Sequence, residues 1–383
     1  MGSKIVVVAG AGGFIGGHLV ARLRGQSGIT VRAADIKPLA DWYQVFPDVE
    51  NHAGPLEGDA RDFTVCRMLC HGADEVYQLA ADMGGMGFIE NNKALCMLSV
   101  LTNTHMLLAA QEAGVPRFFF SSSACVYNAE KQKNADIVAL AEPDAYPALP
   151  EDGYGWEKLF SERMCRHFRE DFGMQTRVAR FHNVYGPHGT WHGGREKAPA
   201  AICRKVIAAK AAGMNSIEIW GDGSQTRSFM YIDDCVEGIL RIMHSDILEP
   251  INLGSSELVS INQLVDIAEN VAGIKLDRRY NLDAPKGVAG RNSDNTRIQK
   301  YLGWQPSTSL RDGIAQTYAW INDQFQGEYN ATTAGGLTTS SFNHGSKPIP
   351  GDGFIAESRS LDTWKQGIPA GYGFSKSRAA TRG

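Results

Sequence analysis

The stretch "VVVAGAGGFIGGHL", residues 6–19, decides the fold. Apolar β-branched residues run straight into a glycine-rich turn, and the turn runs into residues with helical apolar spacing. Gly10, Gly13 and Gly16 stand in a GxxGxxG arrangement. A strand–turn–helix of this kind needs glycine because the turn is tight, a pyrophosphate must approach the backbone, and the helix must close on the sheet. The helix opening at Phe14 and Ile15 offers free N–H groups and the positive end of its dipole to phosphates. A glycine triplet alone is weak evidence, and Asp35, at the end of the next apolar run, supplies the context. A carboxylate there accepts both hydroxyls of a ribose and repels a 2′-phosphate, which selects NAD over NADP. Asp59, in "EGDARD", is placed to contact the adenine.

Outward from this stretch the strand type recurs in "TVRAAD" (30–35), "EVYQLA" (75–80), "RFFFSS" (117–122) and "TRVARF" (176–181). Helical spacing fills 91–113 and about 153–172. Apolar strands alternating with amphipathic helices predict an α/β fold, a doubly wound parallel sheet of Rossmann type covered on both faces. After 185 the texture changes. "VYGPHGTWHGGREKAP" reads as a long functional loop, followed by helices at about 196–211, 233–244 and 261–272 and short strands "IEIW" and "PINLG". The expected organisation is an NAD-binding domain over 1–185 and a smaller C-terminal substrate-binding lobe over 186–326, with elements returning to the sheet. From 327 to 383 the chain lacks usable periodicity and reads as an irregular tail.

The 383 residues are 43% hydrophobic and 21% charged with a formal net charge of -4. That balance is ordinary for a globular protein and gives no electrostatic case for nucleic acid or an anionic membrane surface. No apolar run approaches the ~20 residues of a membrane span. The first residues lead into a strand without a secretory pattern, and seven cysteines form no CxxC pair, so a reducing cytoplasm is the expected location. Cys66 and Cys70 share a helical stretch and are expected to pack rather than cross-link.

Chemistry enters with "DGYGWEKLF", which places Tyr154 and Lys158 four residues apart on one helix face. A phenol titrates near ~10, and an adjacent ammonium together with a cationic nicotinamide makes it a usable base for a substrate hydroxyl. Ser123, at the preceding strand end, shares that hydrogen bond. Cys125 follows directly. Taken alone it is either a small core residue or a thiol placed for chemistry, and Lys197 alone is either a solvated lysine or a proton carrier. His182, His188 and His192 lie in a loop without a carboxylate-rich or cysteine partner, so no metal is expected.

These features resemble the extended short-chain dehydrogenases/reductases, most of which act on nucleotide sugars. "AADMGGMGFI" (80–89), "SSACVY" (122–127), "RFHNVYGPHGTWHGGREKAPAAICRK" (180–205), "WGDGSQTRSF" (220–229) and "GRNSDN" (290–295) sharpen the resemblance to the GDP-mannose 3,5-epimerase family over most of 4–320. It implies a GDP-sugar substrate, tightly held NAD, transient oxidation at C4 of the hexose, and inversion at C3 and/or C5 through an enolate. It implies Cys125 and Lys197 as the acid/base pair on opposite faces of the sugar. Asn183 would hold a sugar or phosphate oxygen, and Arg227 and Arg291 would clamp the diphosphate. Gly84 and Gly85 would let the backbone approach the sugar, with Glu196, Lys205 and Gln225 as further contacts. A homodimer through helices 91–113 and 153–172 is expected on the same ground. Residues 128–147 and 208–216 depart from the plant-type members. The alternatives are a nucleotide-sugar 4-epimerase, which has no need of Cys125 and Lys197, and a non-catalytic NAD-binding protein, which has no need of Ser123, Tyr154 and Lys158 together.

Overall fold

Seven parallel strands form the sheet that carries the site. In the computed structural model, which describes residues 3–334 with Lys286 excepted, the first half of the chain runs β1 (Lys4–Ala9), α1 (Phe14–Arg24), β2 (Ile29–Asp35), β3 (Glu50–Ala53), α2 (Phe63–Cys70), β4 (Glu75–Gln78), α3 (Met86–Asn91), α4 (Lys93–Glu112), β5 (Arg117–Ser123), α5 (Asp152–Phe172) and β6 (Gln175–Phe181). The second runs β7 (Val184–Tyr185), α6 (Ala198–Ala211), β8 (Ser216–Trp220), β9 (Thr226–Ser228), β10 (Met230–Tyr231), α7 (Ile232–Met243), β11 (Ile251–Leu253), β12 (Leu258–Ser260), α8 (Ile261–Ala272), β13 (Asp277–Asn281), β14 (Gly290–Arg291), α9 (Thr296–Leu302) and α10 (Leu310–Ala334). The sheet order is β3-β2-β1-β4-β5-β6-β11, parallel throughout. The order reverses between β1 and β4, the switch point at whose carboxyl end doubly wound sheets bind nucleotides.

Burial explains the strand composition. Val6, Val7 and Val8 are fully buried, as are Phe118 and Phe119 of β5. A strand covered on both faces has no use for polar alternation, and each such side chain contributes roughly 1.5–3 kcal/mol. One core cluster joins β1, β4, β5 and β6 to α2, α4 and α5 and takes in Cys66, Cys70 and Cys165. The Cys66–Cys70 pair packs there as free thiols, as its helical spacing predicts.

Beneath the site a buried polar network ties α5 to the sheet. Arg180 of β6 donates to both carboxylate oxygens of Glu162 on α5 at 2.9 and 2.7 Å, and Ser122 of β5 donates to the same carboxylate at 2.5 Å. A two-pronged guanidinium–carboxylate contact fixes orientation as well as distance. It sets the helix that carries Tyr154 against the strand end that carries Ser123.

Several expectations need revision. The helical run 91–113 is broken at Asn92, whose non-helical backbone (φ −129°, ψ 42°) separates α3 from α4. α4 has the length and apolar composition of a membrane span, contrary to the reading that no such run exists. It packs between α2 and α5 with Ser99, Thr102 and Asn103 buried on its inner face, the pattern of a core helix. Strand β3 and the two- and three-residue strands of the second half were not legible, apart from β11, which "PINLG" anticipated. The helix α10 continues past 327 to Ala334, so the irregular tail does not start where composition placed it; residues 335–383 lie outside the described residues. Elements of the second half do return to the sheet: β11 extends it beside β6, and α7 packs on α1.

Candidate active site

At the carboxyl end of β1 the glycines are required by contact. Gly10 has φ +86°, and a Cβ there would sit 2.8 Å from the Ala80 nitrogen; one on Gly16 would sit 2.1 Å from the Gly10 carbonyl oxygen. The turn therefore lies flat against β4 and under α1, whose first residues Phe14 and Ile15 follow the N-cap Gly13. No acidic residue occupies that first turn, so its field is free for an anion. Asp35 ends β2 buried, with its carboxylate accepting from the Lys37 N–H at 3.0 Å. Burial pushes its carboxyl up and Lys37 opposes this. The Lys37 ammonium donates to the Gly12 carbonyl at 3.0 Å, and the Trp42 indole fills the space a Cβ on Gly12 would take. These residues fit a dinucleotide: a side-chain-free phosphate cradle and a buried carboxylate at ribose position. Asp59 fits less well than expected for adenine, because Arg61 donates to both of its oxygens, at 2.7–3.1 Å.

The second group assembles where β5 ends. The Ser123 hydroxyl accepts from the Cys125 N–H at 3.2 Å and caps a single 3-10 turn, Ala124–Val126, that carries Cys125. α5 presses against this turn: Glu151 N–H donates to the Cys125 carbonyl at 3.0 Å, and Gly155 is needed because a Cβ would lie 2.4 Å from that oxygen. Tyr154, Cys125 and Cys96 then form one buried cluster with Met83, Phe88 and Ile89 on its edge. Burial drives the Tyr154 phenol well above its ordinary range, Cys125 and Glu157 add to this, and the Ser123 hydroxyl works against it by hydrogen bonding. Burial pushes Cys96 up to about 11, so it stays a thiol.

Lys158 lies under Tyr154 with its ammonium 5.5 Å from the phenol ring centroid and 4.8 Å from that of Phe120. It stands 3.7 Å from the Glu157 carboxylate, both side chains being almost fully buried. Glu157 was not singled out from the sequence. Its only signal is a carboxylate next to Lys158 on a buried helix face, and it offsets part of the charge expected to favour a phenolate.

Across the cleft, Lys197 is the N-cap residue of α6, with Pro199 in the first turn behind it. Burial holds its ammonium below the ordinary lysine range, with Cys125 first and Cys235 next pulling it back. The parallel pairing of β9 and β14 sets Arg227 directly opposite Arg291. Both face the thiol rather than open solvent. The Arg291 guanidinium donates to the Cys125 sulfur at 3.6 Å and to Gln132 at 2.8 Å, and is ion-paired with Glu151. Burial draws the Arg227 guanidinium down to about 10, with Cys125 opposing, and it donates to the Val288 and Thr226 carbonyls at 2.5 and 2.7 Å. Arg291, expected as part of a diphosphate clamp, thus lies in the wall that holds Cys125.

The remaining candidates divide. Asn183 donates to the Ser228 carbonyl at 3.1 Å beside this cleft. Gln225 donates to the Trp220 carbonyl, while its buried Oε1 has no partner among the described residues and borders a cavity of about 230 Å³. Lys205 donates to the Glu218 carbonyl at 2.7 Å and lies over the Trp220 ring. Glu196 is turned inward, accepting from the Gly194 N–H at 2.7 Å and from Arg204 at 3.1 Å. Gly84 and Gly85 have a protein reason: a Cβ on the first would meet Phe88 at 2.8 Å and on the second the Glu196 carbonyl at 2.5 Å. The three histidines go separate ways. Buried His182 meets Asn252 at 3.0 Å and is held down to about 4, His188 stacks toward Trp320, and His192 toward Trp191.

Comparison with known proteins agrees with this geometry. Residues 6–254 match the model of the NAD dependent epimerase/dehydratase family. The chain is 47% identical over 324 residues to "GDP-mannose 3,5-epimerase 1" of Oryza sativa subsp. japonica, covering 84% of this chain and 83% of that one. It is 45% identical over the same length to "GDP-mannose 3,5-epimerase" of Arabidopsis thaliana, with the same coverage. Among solved structures, a UDP-glucose 4-epimerase of Thermotoga maritima superposes with a TM-score of 0.73 at 24% identity, covering 84% of this chain and 99% of that one. MoeE5, crystallised with UDP-glucose and NAD, gives 0.69 at 28% identity, covering 84% and 100%. A buried glycine cradle with Asp35 at its side, a tyrosine–lysine pair at the end of β5, and these matches have one meaning: the chain belongs to the NAD-dependent epimerase/dehydratase family.

Proposed function

We propose that this protein is an NAD-dependent GDP-mannose 3,5-epimerase. The observation that carries the reading is Cys125 packed in one buried cluster with Tyr154 while the buried Lys197 ammonium is near enough to feel the charge of that thiol. Simple inversion at C4 has no use for a buried lysine there. Gly10, Gly13, Phe14, Ile15, Gly16 and Asp35 would hold NAD, which would supply a hydride acceptor for C4 and the means to return the hydride. Tyr154 takes the C4 hydroxyl proton as the hydride leaves, and Ser123 holds that oxygen throughout. The resulting ketone acidifies the hydrogens on C3 and C5. One of Cys125 and Lys197 removes such a proton, its bonding electrons moving onto the ketone oxygen as an enolate. The other delivers a proton to the same carbon from the opposite face. Tyr154 finally returns its proton to the C4 oxygen, so atoms and electrons balance as an isomerisation. Arg291 sits where a negative charge on sulfur would develop. The test is turnover of GDP-mannose followed by identification of the released hexoses. Sugars inverted at C3 and/or C5 without net accumulation of reduced cofactor support the reading; a product inverted only at C4 contradicts it.

We infer that the active form is a homodimer. Trp156 and Phe160 lie one helical turn apart on α5 and are 45% and 52% exposed, beside half-exposed Met97 of α4. Large apolar side chains at i, i+4 on two adjacent helices fit an isologous four-helix interface. Substituting glutamate at both Trp156 and Phe160 should change the solution mass from twice 41.7 kDa to once that value. A wild type of single mass, or a double variant that stays dimeric, would contradict the assignment.

A further inference from the structure

We propose that Arg195 is a positioning residue that holds Lys197 at its working distance from Cys125, by clamping the loop before α6 onto the wall that carries the thiol. The proposal rests on the epimerase reading given above for what Lys197 does.

Lys197 projects from the end of the loop 186–196 and would follow any movement of it. On its own side that loop is anchored by Arg204 of α6, which donates to the Trp191 carbonyl at 3.1 Å and to Glu196 at 3.1 Å. On the far side the contact falls to residues 195 and 196. The Arg195 guanidinium lies 3.8 Å from the centroid of the Phe88 ring, close enough for a strong cation–π contact. It also reaches the Met83 carbonyl at 3.5 Å and stands 3.9 Å from the Asp82 carboxylate. Its own carbonyl accepts from the Gly85 N–H at 3.0 Å, and Gly85 must be glycine because a Cβ would strike the Glu196 carbonyl at 2.5 Å. Thus the segment 82–88 and the residues just before Lys197 are fitted to each other by backbone and by side chain.

What gives this fit a consequence is the other face of 82–88. Met83 and Phe88 pack against the buried cluster of Cys96, Cys125 and Tyr154. The ring that Arg195 covers is therefore one residue removed from the catalytic thiol. Arg195 itself is about half exposed, so it adds little to the core. Its distinctive role is to span the cleft. Displacing a reacting group by about 1 Å can cost on the order of 10²-fold in rate, and an untethered loop permits at least that.

The test compares Arg195→Ala, Arg195→Lys and Phe88→Leu, using GDP-mannose in D2O with NMR for proton loss at C3 and C5, alongside transient nicotinamide reduction. Arg195→Ala should lower C3/C5 exchange by roughly 30- to 100-fold through kcat, with KM, nicotinamide reduction and unfolding temperature little changed. Arg195→Lys should recover much of the loss, since an ammonium also sits on an aromatic face. Combining Arg195→Ala with Phe88→Leu should cost no more than the worse single change. Without any substrate, acylation of Lys197 read by peptide mass spectrometry should be faster in Arg195→Ala. Wild-type exchange in Arg195→Ala, equal loss of exchange and nicotinamide reduction, an additive double variant, or unchanged Lys197 acylation would each overturn the proposal. A wild type that turns over GDP-mannose without C3 or C5 exchange would instead overturn the epimerase reading, and the acylation result then decides the clamp by itself.

Discussion

Cys125→Ala and Lys197→Ala should each abolish exchange of the C3 and C5 hydrogens with solvent deuterium while leaving NAD bound and C4 oxidation intact. The physical reason is division of labour. In the proposed mechanism Tyr154 and Ser123, at the end of β5, handle the C4 oxygen, whereas the thiol on the turn after β5 and the amine at the start of α6 serve the ring carbons beside the ketone. Loss of a positioned acid or base costs typically ~10²–10⁴-fold, and inversion needs one on each face, so either change should bring exchange down by that factor. Cys125→Ser should do no better than alanine, because a hydroxyl is far less acidic than a thiol. In the wild type, burial holds the Lys197 ammonium below the ordinary 10.5. The free amine thus becomes available at lower pH than on a surface lysine, and an exchange step that uses it as base should rise with pH through a midpoint under 10.5. Ordinary exchange in either alanine variant, measured by NMR in D2O, removes that residue from the mechanism.

Tyr154→Phe should fail one step earlier. Without the phenol the C4 hydroxyl proton has no acceptor, and burial means water cannot replace it. Nicotinamide reduction on mixing with GDP-mannose should fall by about 10³-fold or more. Exchange at C3 and C5 should fall equally, since no ketone forms to acidify those hydrogens. This coupled loss separates Tyr154 from the acid/base pair, whose variants keep the first step. Unimpaired nicotinamide reduction in Tyr154→Phe would refute its role. The phenol's surroundings give a further sign. Burial, Cys125 and Glu157 all raise its proton affinity in the free protein, so removing the Glu157 charge should ease C4 oxidation at neutral pH rather than impair it.

How much of this was legible in the sequence depends on separation along the chain. The glycine turn with Asp35 and the Tyr154–Lys158 pair are local patterns: the turn joins β1 to α1 with Asp35 at the end of β2, and Tyr154 and Lys158 share one buried face of α5. Ser123 was readable at a strand end before a helix, whereas Cys125 and Lys197 alone stayed ambiguous and were singled out only by the family resemblance. The contact of Arg291 with Cys125 was not legible, because it spans 166 residues and depends on β9 and β14 pairing, strands too short to show periodicity. The need of Gly84 and Gly85 for room beside Phe88 and the Glu196 carbonyl was not legible, because both neighbours come from the folded arrangement rather than the local pattern. The ion pair of Asp59 with Arg61, two residues on, was not legible, since it leaves no pattern beyond opposite charges. Arg195 was passed over for the same reason that it matters: it acts across the cleft, on a ring from another part of the fold.

The opposed placement of Cys125 and Lys197 about the sugar is open to a crystal structure of the Tyr154→Phe variant with NAD and GDP-mannose bound. It should place the Cys125 sulfur and the Lys197 nitrogen on opposite faces of the hexose, each within about 4 Å of C3 or C5, the range from which a positioned group can reach a reacting proton. Either group turned away from the ring, or both on one face, would contradict it.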